Sequence, residues 1–161
     1  MQKITPNLWF DSQAEEAANF YVSVFKNSKI LEVSRYGEAG QEVHGQKPGT
    51  VMTVSFELDG QRFMALNGGP IFKFSEAISF VIDCEDQAEV DYYWEKLSAA
   101  PEAEQCGWLK DTYGLSWQVV PKQLNELMAD PDAEKAGRTM EAMLKMKKLD
   151  IAGLQRAHDG E

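Results

Sequence analysis

Few residues in this 161-residue chain are of the types that carry out covalent chemistry, and they are scattered. Of the cysteines, Cys84 and Cys106, the second directly precedes Gly107-Trp108 and is the candidate reactive thiol. It has no histidine near it in sequence, and a lone cysteine otherwise behaves as a small hydrophobe. His44 falls in a loop, where it either reaches a pocket mouth or is simply solvated, and His158, near the terminus, is expected to be solvated. Glu15, Glu16, Glu89 and Asp91 sit at helix starts, where carboxylates complement the helix dipole and make poor acid–base pairs. What remains is a set of neutral hydrogen-bonding groups, Thr5, Asn7, Ser55, Ser79 and Gln118, interleaved with Trp9 and Met64. Such a set suits a small, partly apolar ligand, and it equally suits an ordinary filled interior. Gln118 is the leading single candidate.

The elements that would position these residues follow from spacing. Gly107 to Pro121 reads as strand, turn, strand, with Asp111 to Gly114 as the turn, Gly114 free to take positive φ, and Pro121 suited to a helix start. In Ile4 to Phe10, Ile4, Pro6, Leu8 and Phe10 share one face of a strand; Thr5, Asn7 and Trp9 share the other. Ser12 and Glu15 form a capping box for a helix whose Ala14, Ala17, Ala18, Tyr21 and Phe25 fall on one side. A strand over Lys29 to Gly37 and a loop over Glu38 to Gly49 follow. Asp59-Gly60 signals a two-residue hairpin, and counting back from it pairs Glu57 with Arg62, Phe56 with Phe63, Ser55 with Met64 and Val54 with Ala65.

The pattern then starts again. Ala77 to Cys84 is a strand, Asp86 and Glu89 repeat the cap, and Val90, Tyr93, Trp94 and Leu97 have helical spacing. A short strand over Glu104 to Cys106 leads into the last hairpin. Overlaying the halves sets Ile4 over Ile78, Thr5 over Ser79, and, through the turn glycines Gly60 and Gly114, Met64 over Gln118. By alternation Thr53, Leu66, Val81, Ser116 and Val120 join the candidate residues on faces away from the main apolar stripes. The expected fold class is therefore α+β, two tandem βαβββ modules (about 1–70 and 71–121) in a domain over residues 1–121. Residues 122–161 add a C-terminal helical tail to the same domain. In that tail a short helix to Ala129 precedes one from Asp132 to about Lys148 with Met140, Met143, Leu144 and Met146 on one side, and Asp150 caps a last segment. The methionines pack internally or, on an appended tail, against a partner subunit.

Composition narrows the partners. A formal net charge of −10 and a pI near 4.7 argue against nucleic acid and anionic membrane surfaces. No apolar run approaches the roughly 18 residues of a membrane span, and no signal stretch opens the chain. Two cysteines make no disulfide framework, so a cytoplasmic, reducing location is expected.

The segments FDSQAEEAANFY, GTVMTVSFELDGQRFMALNGGP, QCGWLKDTYGLSWQVVP and DPDAEKAGRTMEAMLKMKKLDI carry a resemblance. Together they resemble the vicinal-oxygen-chelate superfamily of glyoxalases, extradiol dioxygenases and resistance proteins, and within it the PhnB-like branch labelled demethylubiquinone methyltransferase. The resemblance implies cupped mixed sheets, a pocket inside the cup and a homodimer. In metal-using members His, Gln or Glu ligands stand at positions that map to Thr5, Met64, Ser79 and Gln118; only Gln118 matches in type. No cofactor is therefore expected, and no metal. A methyl donor commonly sits at a glycine-rich strand-to-helix turn, and both such turns here, Asp11-Ser12 and Glu85-Asp86, lack glycine.

Overall fold

The computed structural model describes residues 2–161, and the chain divides into two compact units, one ending at Lys73 and the other spanning Phe74–Glu161. Both are mixed α and β, so the chain is an α+β protein with two mixed sheets. Among the described residues no helix is long and apolar enough to cross a membrane.

In the first unit β1 (Asn7–Phe10), α1 (Ala14–Val24), β2 (Lys29–Arg35), α2 (Gln41–His44), β3 (Val51–Leu58) and β4 (Gln61–Asn67) build a sheet ordered β1-β4-β3-β2. The β3–β4 register is the one counted from the turn: Glu57 opposite Arg62, Phe56 opposite Phe63, Ser55 opposite Met64. Asp59 and Gly60 both take positive φ, 48° and 80°, which matches the right-handed twist of the strands they join. Leu8, Phe10, Val54, Phe56, Phe63 and Ala65 form the buried face. Against it lie Ala14, Ala17, Ala18 and Tyr21 of α1, all fully buried; the small side chains let helix and sheet approach closely.

Three expectations change here. The first strand starts at Asn7, not Ile4: Pro6 accepts from the Met64 N–H at 2.9 Å but has no N–H to return, and Ile4 projects into solvent. The loop after β2 contains α2, set between Gly40 and Gly45, both left-handed. The Ser12–Glu15 capping box does not form. Gln13 occupies the cap position with no side-chain bond, and the Ala14 N–H instead donates to Oδ1 of Asn67, 53 residues on, at 2.8 Å. Asn67 Nδ2 donates to the Val51 carbonyl at 3.1 Å, and the Tyr36 hydroxyl donates to the Asn67 carbonyl.

In the second unit β5 (Ser79–Cys84), α3 (Gln87–Leu97), β6 (Trp108–Lys110) and β7 (Ser116–Pro121) precede α4 (Lys122–Met128), α5 (Ala133–Leu144) and α6 (Ile151–Asp159). The sheet order is β5-β7-β6, β5 parallel and β6 antiparallel to β7. The α3 cap is as expected: Asp86 accepts from the Glu89 N–H at 2.9 Å, and Glu89 reaches back to the Glu85 N–H. The short strand at Glu104 to Cys106 is absent, replaced by a 3₁₀ turn at Pro101–Ala103 and a single bridge between Gln105 and Trp108. Cys106 and Gly107, at φ 41° and 90°, turn the chain straight into β6. Their N–H groups donate to the carbonyls of Met146 and Lys147 at 2.7 and 2.8 Å, so the tail lies where a further strand would. The hairpin turn closes on Asp111, a buried carboxylate. Its Oδ1 accepts from the N–H groups of Tyr113 and Leu115, and its Oδ2 from the Trp117 indole at 2.9 Å.

The tail is bound into this unit. Leu124, Leu149 and Leu154 form a buried cluster joined by Val120, Leu127, Met128, Met143 and Met146. Gln87 donates to the Leu149 carbonyl and accepts from the Ile151 N–H at 2.8 Å, doing the work expected of Asp150, which makes no side-chain cap bond. The methionine side divides: Met143 and Met146 pack inward, whereas Met140 and Leu144 stand 46% and 49% exposed, and α5 stops at Leu144. His158 is not solvated. It is buried between Asp130 Oδ2 at 2.8 Å and Asp159 Oδ1 at 3.2 Å, because α6 runs back to the α4–α5 corner. Arg138 donates to the carbonyls of Ala157 and His158, closing the end of α6.

These contacts move ionisations. The Asp132 N–H, then His158, hold Asp130 below the usual carboxylate range, and His158, then Gln155, do the same for Asp159. Burial, reinforced by Glu89, Asp83 and Asp86, pushes the Cys84 thiol up to about 12, which makes it inert near neutrality.

Two outcomes are expected. Replacing Asn67 with Ala leaves a helix N–H and a strand carbonyl without partners, a loss of about 1–3 kcal/mol, read as a drop of several degrees in the thermal midpoint followed by circular dichroism. An unchanged midpoint would show that Asn67 contributes nothing as a cap. Because Asp130 and Asp159 titrate lower folded than unfolded, their contribution is present at neutral pH and is lost as pH falls through their folded values. The thermal midpoint therefore falls on acidification below about pH 4, and an Asp130→Asn, Asp159→Asn protein shows a lower neutral midpoint and a shallower fall.

Candidate functional site

Each sheet packs one face on a helix, α1 or α3, and its other face carries the candidate residues, the second sheet's losing Val120 to the tail cluster. In the first unit the face away from α1 carries two cross-strand rows. Asn7, Met64 and Ser55 form one, and Trp9, Leu66 and Thr53 the next. Ser55 is buried, Asn7 exposed and the others half-buried. Trp9 is fixed rather than free: its Nε1 donates to the Gly69 carbonyl at 2.9 Å, and Phe72 meets it edge-on with centroids 4.9 Å apart. A Cβ at Gly68 would fall 2.3 Å from the Trp9 ring, so only glycine admits the ring there. Thr5 lies just before β1, half-buried and outside the ladder.

In the second unit the face away from α3 carries Ser79, Ser116 and Lys110 in one row and Val81, Gln118 and Trp108 in the next. Gln118 donates through Nε2 to Ser79 Oγ at 3.0 Å, so the two candidates meet. Directly opposite Ser79, two residues before Gln118 on β7, Ser116 is 1% exposed and its hydroxyl has no partner among the described residues. Lys110 is paired with Glu76, whose carboxyl it holds below the ordinary range, so the cation beside this row is balanced. Val81 is exposed, and Val120 is drawn into the tail cluster.

The remaining candidates lie elsewhere. Cys106 sits at the sheet edge, half-buried and held by its backbone bond to Met146, on neither open face. His44 is in α2 with its ring 4.6 Å from that of Tyr36. Nδ1 accepts from the Gln46 N–H at 3.0 Å, which assigns the proton to Nε2, donating to the Ala39 carbonyl. Both ring nitrogens are engaged in hydrogen bonds, and the ring stays partly exposed, outside both sheet faces.

The chemistry of these groups is hydrogen bonding. Hydroxyls, a carboxamide and a thioether are weak donors for a divalent ion, and the amide of Gln118 is already turned toward Ser79 as a hydrogen donor. The residues present do not fit the metal centre of the metal-using superfamily members. Alternation had placed Ser116 on the face of Gln118; nothing in its spacing signalled that its hydroxyl would be buried without a partner.

Comparison with known proteins identifies the fold and the family. The family model described as 3-demethylubiquinone-9 3-methyltransferase matches residues 2–120. Among solved structures, the PhnB protein from Bacillus cereus is 39% identical with a TM-score of 0.61, covering 74% of this chain and 99% of that one. Protein PA1353 from Pseudomonas aeruginosa shares the fold at 16% identity and a TM-score of 0.57, over 75% of this chain and 98% of that one. A fosfomycin resistance protein from Mesorhizobium loti matches at 13% identity and a TM-score of 0.49, over 74% and 91% of the two chains. No curated protein matches. With a PhnB-like, glyoxalase-type fold and a family model spanning most of its length, the chain belongs to the 3-demethylubiquinone-9 3-methyltransferase family.

Proposed function

We propose that the protein binds a small, uncharged, partly apolar molecule against the open face of the second sheet, without a metal. The observation that carries this reading is the Ser116 hydroxyl, buried and unpartnered beside the Ser79–Gln118 pair. Leaving a buried polar group unpaired costs about 1–3 kcal/mol, and a ligand hydroxyl or carbonyl would recover it. Ser79 accepts from Gln118 and so keeps its own hydrogen to donate, and Gln118 keeps its carbonyl as an acceptor. The flanking Val81 and Trp108 supply apolar contact, and the Lys110–Glu76 pair leaves no net charge to select an ion. Asn7, Trp9, Ser55, Met64 and Thr5 offer the first sheet's open face a similar mixture. The reading includes a homodimer in the cytoplasm, in keeping with the resemblance and with two unpaired thiols.

The family's description favours a second reading, methyl transfer. Against it, the turns entering α1 and α3 contain no glycine to admit a methyl donor's backbone contacts.

Native mass spectrometry of gently purified protein, followed by a thermal-shift screen of neutral alcohols, amides and phenols beside S-adenosylmethionine, separates the two. The binding reading expects a retained or screened neutral ligand whose affinity falls about tenfold, or 1.4 kcal/mol, in Ser116→Ala and in Gln118→Ala. It also expects Ser116→Ala without ligand to be as stable as the parent or slightly more so. Equal binding to parent and variants removes the reading, and a shift with S-adenosylmethionine alone replaces it with methyl transfer.

A further inference from the structure

Asn67-Gly68 is the one asparagine–glycine pair in the sequence. In such a pair the glycine backbone nitrogen can attack the asparagine carboxamide, because no side chain on the following residue stands in the way. The fold demands both members. A Cβ on Gly68 would fall 2.3 Å from the Trp9 ring, so the second position has to be glycine. The first has to be a carboxamide. Its Oδ1 accepts from the Ala14 N–H at 2.8 Å while its Nδ2 donates to the Val51 carbonyl at 3.1 Å, an acceptor and a donor on one short side chain. The first unit thus carries a chemically weak dipeptide at the end of β4, where its parts are tied together.

Folded, the pair is held out of reaction. Asn67 is 7% exposed. Its carboxamide is clamped at both ends, and the attacking atom is engaged as well, the Gly68 N–H donating to the Phe10 carbonyl at 2.9 Å. Attack requires the carboxamide to turn toward Gly68 and the Gly68 proton to leave, so these bonds have to break first. Opening of the unit releases them together.

We infer that Asn67 is a modification site: whenever the first unit opens, Asn67 deamidates, and the product keeps the unit from closing as before. The Gly68 nitrogen bonds to Asn67 Cγ, its proton passes to water, and the carboxamide nitrogen leaves as ammonia. Water then opens the five-membered imide at either carbonyl. One opening gives aspartate; the other gives isoaspartate, with the chain rerouted through Cβ. The balance is one water in and one ammonia out. Neither carboxylate can donate to the Val51 carbonyl, and the aspartate sets a charged oxygen against it. Isoaspartate also lengthens the backbone by one carbon beside the Trp9 ring. The inference is independent of ligand binding.

The full chain is held at mildly alkaline pH in buffer and in guanidinium chloride, sampled over days and mapped by peptide mass. Asn27-Ser28, whose asparagine is exposed in the fold, is the internal reference. In denaturant the Asn67 peptide is expected to gain about one dalton and to split into two chromatographic species, and Gly68→Ala is expected to slow this at least tenfold. In buffer the reaction is expected to be at least a hundredfold slower than in denaturant, since a folded domain is open for roughly a thousandth of the time or less. Asn27 is expected to differ far less between the two. Asn67→Asp, made directly, is expected to lower the thermal midpoint by several degrees, and parent chain aged in denaturant to regain less of its midpoint the longer it is held. An Asn67 peptide that keeps its mass in denaturant, or that reacts as fast in buffer as in denaturant, overturns the site. An Asn67→Asp chain with the parent's midpoint, or full recovery of that midpoint by deamidated chain, overturns the block on closing.

Discussion

Asn67, through its carboxamide and its backbone carbonyl, holds together four parts of the first unit that are far apart in the chain. It accepts from the first N–H of α1, donates to the carbonyl at the start of β3, and through its backbone carbonyl receives the Tyr36 hydroxyl from beyond β2. Each of these groups is short of a partner for a local reason. A helix start has N–H groups with nothing behind them, and a strand end has nothing ahead. Meeting them with one buried residue sets where α1 sits on the sheet, and hence which sheet face stays open.

The second unit solves the same problem differently. Overlaying the turn glycines Gly60 and Gly114 puts Pro121 where Asn67 stands, and proline has no side-chain acceptor. There the helix caps itself through Asp86 and Glu89, and the freed position opens α4 and the tail. A further carboxamide, Gln87, then ties that tail to the first turn of α3. Duplicated modules have thus kept a shape while exchanging the interactions that maintain it.

What could be read in advance follows the range of the interactions. The β3–β4 register was legible because Asp59-Gly60 admits one turn geometry and every pair follows from it. The open faces were legible because alternation has a period of two. The cap on α1 was not, since its acceptor is 53 residues away while Ser12 and Glu15 offered a local match. The burial of His158 was hidden likewise, its partner Asp130 lying 28 residues back. Of the candidate site, the common face of Ser79 and Gln118 followed from alternation, whereas their hydrogen bond and the unpaired hydroxyl of Ser116 depend on packing that no pattern encodes.

The amides of Cys106 and Gly107 donate to carbonyls of the tail, and Gly107 lies under Leu149. Without residues beyond 121, those amides would form a bare sheet margin, open to any extended peptide that offered carbonyls in register. The tail therefore acts as a guard against strand exchange and aggregation. The family model's match stops at residue 120, but the folded unit does not: a fragment cut there would lose the lid on its own sheet.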